Sequence, residues 1–323
     1  TQIAGPIKRF EDFVPQLDDL PRFRGENVWN GLALILRGLF KKLVFADNLG
    51  PLVARGFAGS GAPLKPLDAW LVAIGFGMQI YLDFSGYTDI GRGSALILGF
   101  AVPENFRSPY VARNLSDFWR RWHISLSTWM RDYVYIPLGG ARSNRYRNLL
   151  VTMVVAGAWH GANWTFVVWG AFHGVLLVGH WALRSRRPPP EPVTQPLAWQ
   201  VAGWAGTFAL VTVGWVFFRA RTLAEAGRVL ASMAGLHGGA RSVLGGQQRL
   251  LIVAVAVGAV LAQLAGDRLR RSSVAQTAVA VPDDRVRLAA RVEAAQPVLC
   301  AVMVAVMLVF HHTQSTRFIY FQF

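Results

Sequence analysis

Cysteine is all but missing from this chain: Cys300 is the single one in 323 residues. One thiol permits no intrachain disulfide and builds no cysteine metal site. Acidic residues are also few, 18 Asp and Glu against 33 Lys and Arg, which leaves a formal charge of +15. None of them falls in Leu149–Leu183, the longest run without formal charge. A histidine metal site inside that run therefore has no carboxylate to complete it. Signatures of soluble catalysts are missing too. No G-x-S-x-G elbow, phosphate loop or dinucleotide fingerprint occurs, and no repeat at solenoid or transporter spacing is visible.

What the chain has in quantity is apolar surface. Hydrophobic residues make up 53% and aromatics 12%, which at this length points to a polytopic membrane protein. Candidate spans are Leu67–Leu82, Leu149–Leu183 (long enough for two), Ala198–Phe218, Leu251–Ala265 and Pro297–Phe310. Asn30–Phe45 and Gly86–Val102 are weaker, because Arg37, Lys41, Lys42, Asp89 and Arg92 interrupt them. The expectation is an all-α fold with about six to eight membrane-embedded helices, some short or re-entrant. The basic residues gather at the ends of apolar runs, in Arg142–Arg147, Arg184–Arg187, Arg219–Arg228 and Arg268–Arg271. That distribution fits anionic lipid headgroups and the positive-inside rule, and argues against nucleic acid as a partner.

Punctuation along the chain gives its organisation. Asn30–Asp47 reads as an apolar helix with a basic face, suited to the membrane surface. Ser85-Gly86-Tyr87 reads as a break after the span Leu67–Phe84, with Asp83 and Asp89 on either side. Asn114 or Ser116 is placed to cap one helix over Asp117–Tyr133. On it Trp119, Trp122, His123, Leu126, Trp129, Met130 and Tyr133 share a broad face. Residues 184–197 form a Pro/Arg-rich linker, 267–296 a polar interfacial segment, and Phe318–Phe323 an aromatic tail for the interface belt.

The residue with most to explain is His160, in Gly157-Ala-Trp-His-Gly-Ala-Asn-Trp164. Ionisable groups at membrane depth are functional candidates by default. Desolvation disfavours the imidazolium, so the ring is expected neutral and able to accept a proton. Gly157, Gly161 and Ala162 leave room beside it or let backbones approach. A neutral imidazole beside a cavity is what a general base for a hydroxyl group requires. The plainer alternative is a structural histidine bonded to a backbone carbonyl. His123 has the same two readings, an interfacial histidine or a second polar group that stabilises developing charge. His173 lies about 220° round from His160 on a continuous helix, and His173 and His180 nearly align, so packing or hydrogen bonding is expected of both. Asp83, Asp89, Asp117 and Asp132 are expected in ion pairs with Arg92, Arg120, Arg121 or Arg131, with a proton relay as the sharper alternative. Asn163-Trp-Thr165 matches a glycosylation sequon but sits in an apolar run.

Four blocks carry a family resemblance. They are Ile3–Ile7 with Asp12–Gln16; Tyr81-Leu-Asp-Phe-Ser-Gly-Tyr-Thr-Asp-Ile90; Asn105–Pro109 through Asp117–Trp129 to Arg131-Asp-Tyr133; and Trp159-His-Gly161 with Trp169-Gly-Ala-Phe-His-Gly174. Together they resemble the membrane-bound O-acyltransferase family, in its bacterial branch of alginate O-acetylation and teichoic-acid D-alanylation. The resemblance implies a single membrane domain over 1–323, a ring of transmembrane and re-entrant helices around a central tunnel. It also implies further N-terminal helices before Ile3–Ile7. It assigns His160 as the catalytic histidine and His123 as the second active-site element. Trp122, Arg121, Asp132, Trp159 and Asn163 are expected to bind substrate. No tightly bound cofactor and no metal are implied. The donor is an activated acyl thioester such as acetyl-CoA, and the acceptor a hydroxyl of an extracytoplasmic polysaccharide. A periplasmic acetyltransferase or acetylesterase-like partner and a multi-pass place in the bacterial inner membrane complete the expectation. Competing readings are a transporter for a lipid-linked sugar, a scaffold for an acetylation complex, and D-alanyl transfer to a cell-wall polymer.

Overall fold

A computed structural model describes residues 6–18, 24–58, 62–186, 196–237, 240–276 and 296–310. Their regular structure is helical: α1 (Phe10–Phe13), α2 (Pro15–Asp18), α3 (Gly25–Phe40), α4 (Asp47–Phe57), α5 (Pro66–Ile97), α6 (Leu115–Arg121), α7 (Ile124–Met130), α8 (Arg145–Trp159), α9 (Trp164–Arg186), α10 (Leu197–Arg219), α11 (Leu223–Met233), α12 (Gly246–Gln276) and α13 (Gln296–Phe310). π-helical turns at Lys41–Ala46 and Arg131–Tyr135 extend α3 and α7. The β contact among the described residues is an isolated bridge between Leu64 and Arg241.

Four helices among the described residues are long and apolar enough to cross a membrane: Pro66–Ile97, Trp164–Ser185, Leu197–Arg219 and Gly246–Arg270. Pro297–Val309 is a shorter apolar helix. Two of the expected spans, Leu67–Leu82 and Gly86–Val102, turn out to be one helix, the 32-residue α5. Residues 187–195 of the linker, 277–295 of the polar stretch, the aromatic tail and residues 1–5 lie outside the described residues. Residues 184–186 finish α9, and 267–276 continue α12.

The described residues divide into two units. One draws on Thr1–Asn48, Gln79–Ser108 and Gly258–Gln322, the other on Leu49–Met78 and Pro109–Val257. In the first, α3 lies against the second part of α5 through glycine pairs. A Cβ on Gly38 would stand 2.5 Å from the Gly86 carbonyl oxygen, and one on Gly31 would stand 2.7 Å from that of Gly93. The expected break at Ser85-Gly86-Tyr87 is therefore absent: Gly86 serves helix contact instead of ending the helix. Contact this close brings the basic residues of α3 and its π-turn onto buried acids. Arg37 Nε and Nη2 donate to the two Asp89 oxygens, each at 2.9 Å. Lys41 Nζ donates to Asp89 Oδ2 at 2.7 Å and to Ser85 Oγ at 3.2 Å. Lys42 Nζ lies 2.7 Å from Asp83 and 2.9 Å from Asp47. The basic face read as suited to the membrane surface meets carboxylates, because a buried carboxylate needs a countercharge. The acids are paired as expected, but Asp83 and Asp89 take these partners and not Arg92.

In the second unit Tyr110 organises the aromatic core. Its hydroxyl donates to Gly77 O at 2.6 Å and accepts from Trp215 Nε1 at 3.1 Å, while its carbonyl accepts from Trp204 Nε1 at 2.8 Å. The Asp117–Tyr133 helix expected as one element is two. Asn114 caps α6, its Oδ1 accepting from Asp117 N at 2.8 Å. The chain then turns at His123, which adopts φ 43° and ψ 56°. A left-handed residue cannot continue a right-handed helix, so α7 starts afresh in a new direction. The single aromatic face breaks with it: Trp122 and Met130 are buried, and Tyr133 is 55% exposed. Asp117 pairs with Arg121 at 3.0 Å and Asp132 with Arg131 at 2.6 Å, as the residue spacing suggested.

Leu149–Leu183 supplies two helices, α8 and α9, joined by His160–Asn163. Their backbones touch. A Cβ on Gly157 would collide with the Phe166 carbonyl, one on Gly170 with that of Met153, and Gly157 and Gly170 face each other. The Arg142–Arg147 connector is pinned to this hairpin by the buried Asn148. Its Nδ2 donates to Leu138 O and Gly140 O at 3.0 Å and to Ser143 Oγ at 2.8 Å. Gly139 turns the connector with φ +102°, a conformation that favours glycine.

Candidate active site

His160 closes α8 as its C-cap, its backbone N–H donating to Gly157 O at 3.0 Å. Asn163 starts α9: its Oδ1 accepts from Thr165 N at 3.1 Å, and its Nδ2 donates to Arg221 O at 3.0 Å. The tight turn between these caps presents the imidazole to an aromatic cage. Ring centroids of Phe218, Trp159, Trp169 and Phe166 lie 4.9, 5.1, 5.3 and 6.2 Å from it. Trp159 also faces His123, at 6.3 Å. The two histidines thus flank one indole, a juxtaposition that residue spacing alone does not impose.

His160 lines a cleft of about 410 Å³ bounded by α6, α7, the Arg131–Tyr135 turn, α8 and α9. From α8 the cleft takes Arg145, Leu149, Met153, Ala156 and His160, residues three or four apart and hence on one side of the helix. From α9 it takes Trp169, Leu177 and Trp181. Arg145 lies against the Trp181 ring, 5.2 Å from its centroid. The cleft therefore runs the length of α8, about 22 Å at 1.5 Å per residue. It has a basic end at Arg145, an apolar middle, and a histidine end. Arg120 and Arg131 bring the guanidinium groups in its lining to three. Arg131 is held charged by Asp132, whose hydrogen bonds raise the guanidinium pKa.

The other expected site residues do not line this cleft. His123 is 2% exposed and holds the left-handed turn; a non-glycine residue there carries strain of about 1–3 kcal/mol, the kind that clusters at active sites. Trp122 is buried in the core, stacked on Phe118 at 5.6 Å and 4.8 Å from Trp215. Arg121 is tied to Asp117, and Asp132 to Arg131. The Asn163 side chain is committed to capping. Trp159 is 47% exposed. Sequence reasoning missed Arg120, Arg131, Arg145, Trp119 and Trp169 as cleft residues. The signal for part of the set was present: steps of four, three, four and four back from His160 reach Ala156, Met153, Leu149 and Arg145. Among the described residues no group of three or more His, Cys, Asp or Glu is placed to hold a metal ion.

Comparison with known proteins gives the same region a lineage. The sequence profile of the membrane-bound O-acyltransferase family matches residues 1–223. The chain is similar to the probable alginate O-acetylase AlgI of Azotobacter vinelandii, 46% identical over 238 residues, which are 72% of this chain and 45% of that protein. It is 42% identical to the peptidoglycan O-acetyltransferase of Helicobacter pylori over 241 residues, 73% of this chain and 45% of the relative. The teichoic acid D-alanyltransferase of Streptococcus thermophilus is 31% identical over 199 residues, 55% of this chain and 46% of the relative. The chain thus spans about half the length of the curated relatives it matches. With the profile covering more than half of the residues and both site histidines inside it, this multi-pass helical chain belongs to the membrane-bound O-acyltransferase family.

Proposed function

We propose that this chain forms the catalytic part of a membrane O-acyltransferase that moves acetyl groups from a thioester donor to hydroxyls of an extracytoplasmic polysaccharide. The observation that carries the reading is His160 at one end of a cleft whose other end is basic. A thioester such as acetyl-CoA has phosphates for Arg120, Arg131 and Arg145 and a long arm for the apolar middle. Its carbonyl then reaches the His160 end.

His160 takes the proton of the acceptor hydroxyl as that oxygen attacks the thioester carbonyl. The new C–O bond forms, and the carbonyl oxygen carries the developing negative charge, which His123 or a nearby indole N–H or guanidinium stabilises. The intermediate collapses by breaking the C–S bond, and the imidazolium returns its proton to the departing thiolate. The four aromatic rings around His160 limit the water that competes with the acceptor.

The acceptor is a polysaccharide because the relatives with the higher identities are named for alginate and peptidoglycan O-acetylation. Acetyl is preferred over D-alanyl because the D-alanyltransferase relative shares less identity over a shorter stretch. A periplasmic acetylesterase-like partner and a place in the bacterial inner membrane belong to the same reading. The test is His160→Ala in the native host, with O-acetyl groups on the secreted polymer as readout and membrane abundance as control. Loss of acetylation at unchanged abundance supports the enzyme. Retained acetylation points to a scaffold, and loss of the polymer itself to a transporter.

A further inference from the structure

One buried titratable group takes no part in the chemistry above. His173, on α9, is wholly buried. Its ring stands edge-on to Trp119 and Trp169, each with centroids 5.2 Å away. On its other side a Cβ on Gly214 of α10 would come 2.5 Å from Nε2. Neither ring nitrogen has a hydrogen-bond partner, and the Nε1 atoms of Trp119 and Trp169 have none. An imidazole placed this way acts through its shape. It fills the space that the missing side chain of Gly214 leaves and backs Trp169. Trp169 is 1% exposed and stands between His173 and His160, 5.2 and 5.3 Å from the two rings.

We propose that the Gly214, His173 and Trp169 stack is the stop at the end of the cleft that limits the transferred acyl group to a short one. The inference rests on the acyl-transfer reading. A thioester arm that enters from the Arg145 end brings its carbonyl to His160, so the acyl chain points onward to Trp169. The buried indole lines the cleft there, and His173, packed against Gly214 of α10, backs it. His173 is accordingly a positioning residue for Trp169 and a determinant of acyl length.

The experiment uses the protein in native membranes, supplied with acetyl, butyryl and hexanoyl thioesters in competition. The variants are Trp169→Leu, which removes the stop, and His173→Ala, which removes its support. The expected result is a rise of about tenfold or more in butyryl over acetyl transfer, the usual scale for admitting a methylene or two to an apolar pocket. Both variants shift in the same direction, and hexanoyl transfer appears in Trp169→Leu. A merely structural role for His173 lowers all three rates together and leaves their ratio fixed. A ratio within twofold of wild type in both variants, at wild-type membrane abundance, overturns the proposal. Failure of the wild type to transfer acyl groups from any thioester overturns the acyl-transfer reading itself and the length limit with it, and is told apart by the missing wild-type signal.

Discussion

The α3–α5 pair and the α8–α9 hairpin are built by the same device and used in opposite ways. Each joins two helices through facing glycines, Gly31 with Gly93 and Gly38 with Gly86 in one, Gly157 with Gly170 in the other. Small residues of this kind let helices approach where lipid offers no hydrophobic drive for association. In α3–α5 the closeness is spent on charge. Arg37 and Lys41 close on Asp89, and Lys42 closes on Asp83 and Asp47. In α8–α9 the same closeness holds neutral polar groups among aromatic rings, with His160 opening onto a cleft. The lesson is that buried polarity has two uses. Paired ions fix a helix in place, and an imidazole set among aromatic rings lines a cleft where a substrate can meet it.

Substitutions that exchange these uses give effects that fall off in a definite order. Asp89→Leu strands Arg37 and Lys41 at a site where the carboxylate is only 7% exposed. A loss of about 3–5 kcal/mol is expected, as for other broken buried pairs, seen as a lower thermal midpoint in detergent. Replacing Arg37 and Lys41 with Met in the same chain restores much of it; a midpoint that stays at the Asp89→Leu value contradicts the ion-pair account. Arg145→Gln leaves the fold intact and raises the donor KM about tenfold, the scale of one hydrogen bond to a charged group. An unchanged KM places the donor's phosphates elsewhere. Gly170→Val puts side-chain atoms into the Met153 carbonyl and costs about 1–3 kcal/mol, with kcat falling as the hairpin spreads. Asn163→Ala removes a helix cap and costs about 1 kcal/mol with acceptor KM unchanged. A rise in that KM with stability intact returns Asn163 to substrate binding.

Much of the helical frame was legible in the residues. Ala198–Phe218 became Leu197–Arg219, and Leu149–Leu183 divided into two helices at the turn holding His160. Asn114 was legible as one of two candidate caps, with Ser116, because a short polar side chain before an apolar run has few other roles. The failures share one cause. Ser85-Gly86-Tyr87 has the look of a break, and its true partner is the backbone of Gly38, far away in sequence. Arg37 and Asp89 are 52 residues apart, beyond the reach of any periodicity. The left-handed turn at His123 was not legible either: histidine enters that region more often than most residues, but too seldom for the sequence to announce it. For the site, His160 stood out because polarity in an apolar run is costly. Trp169 and Arg145 did not, because an aromatic or a basic residue at a helix end is ordinary until the cleft beside it is known.

The central claim is that His160 removes the acceptor's proton from within this cleft. Single-turnover acyl transfer by wild type and His160→Asn, with donor bound beforehand and matched amounts of folded protein, tests it directly. The expected result is a rate lower by a factor of about 10²–10⁴, the usual contribution of a general base, with donor affinity unchanged. A variant that transfers within a few-fold of the wild-type rate would place the base elsewhere.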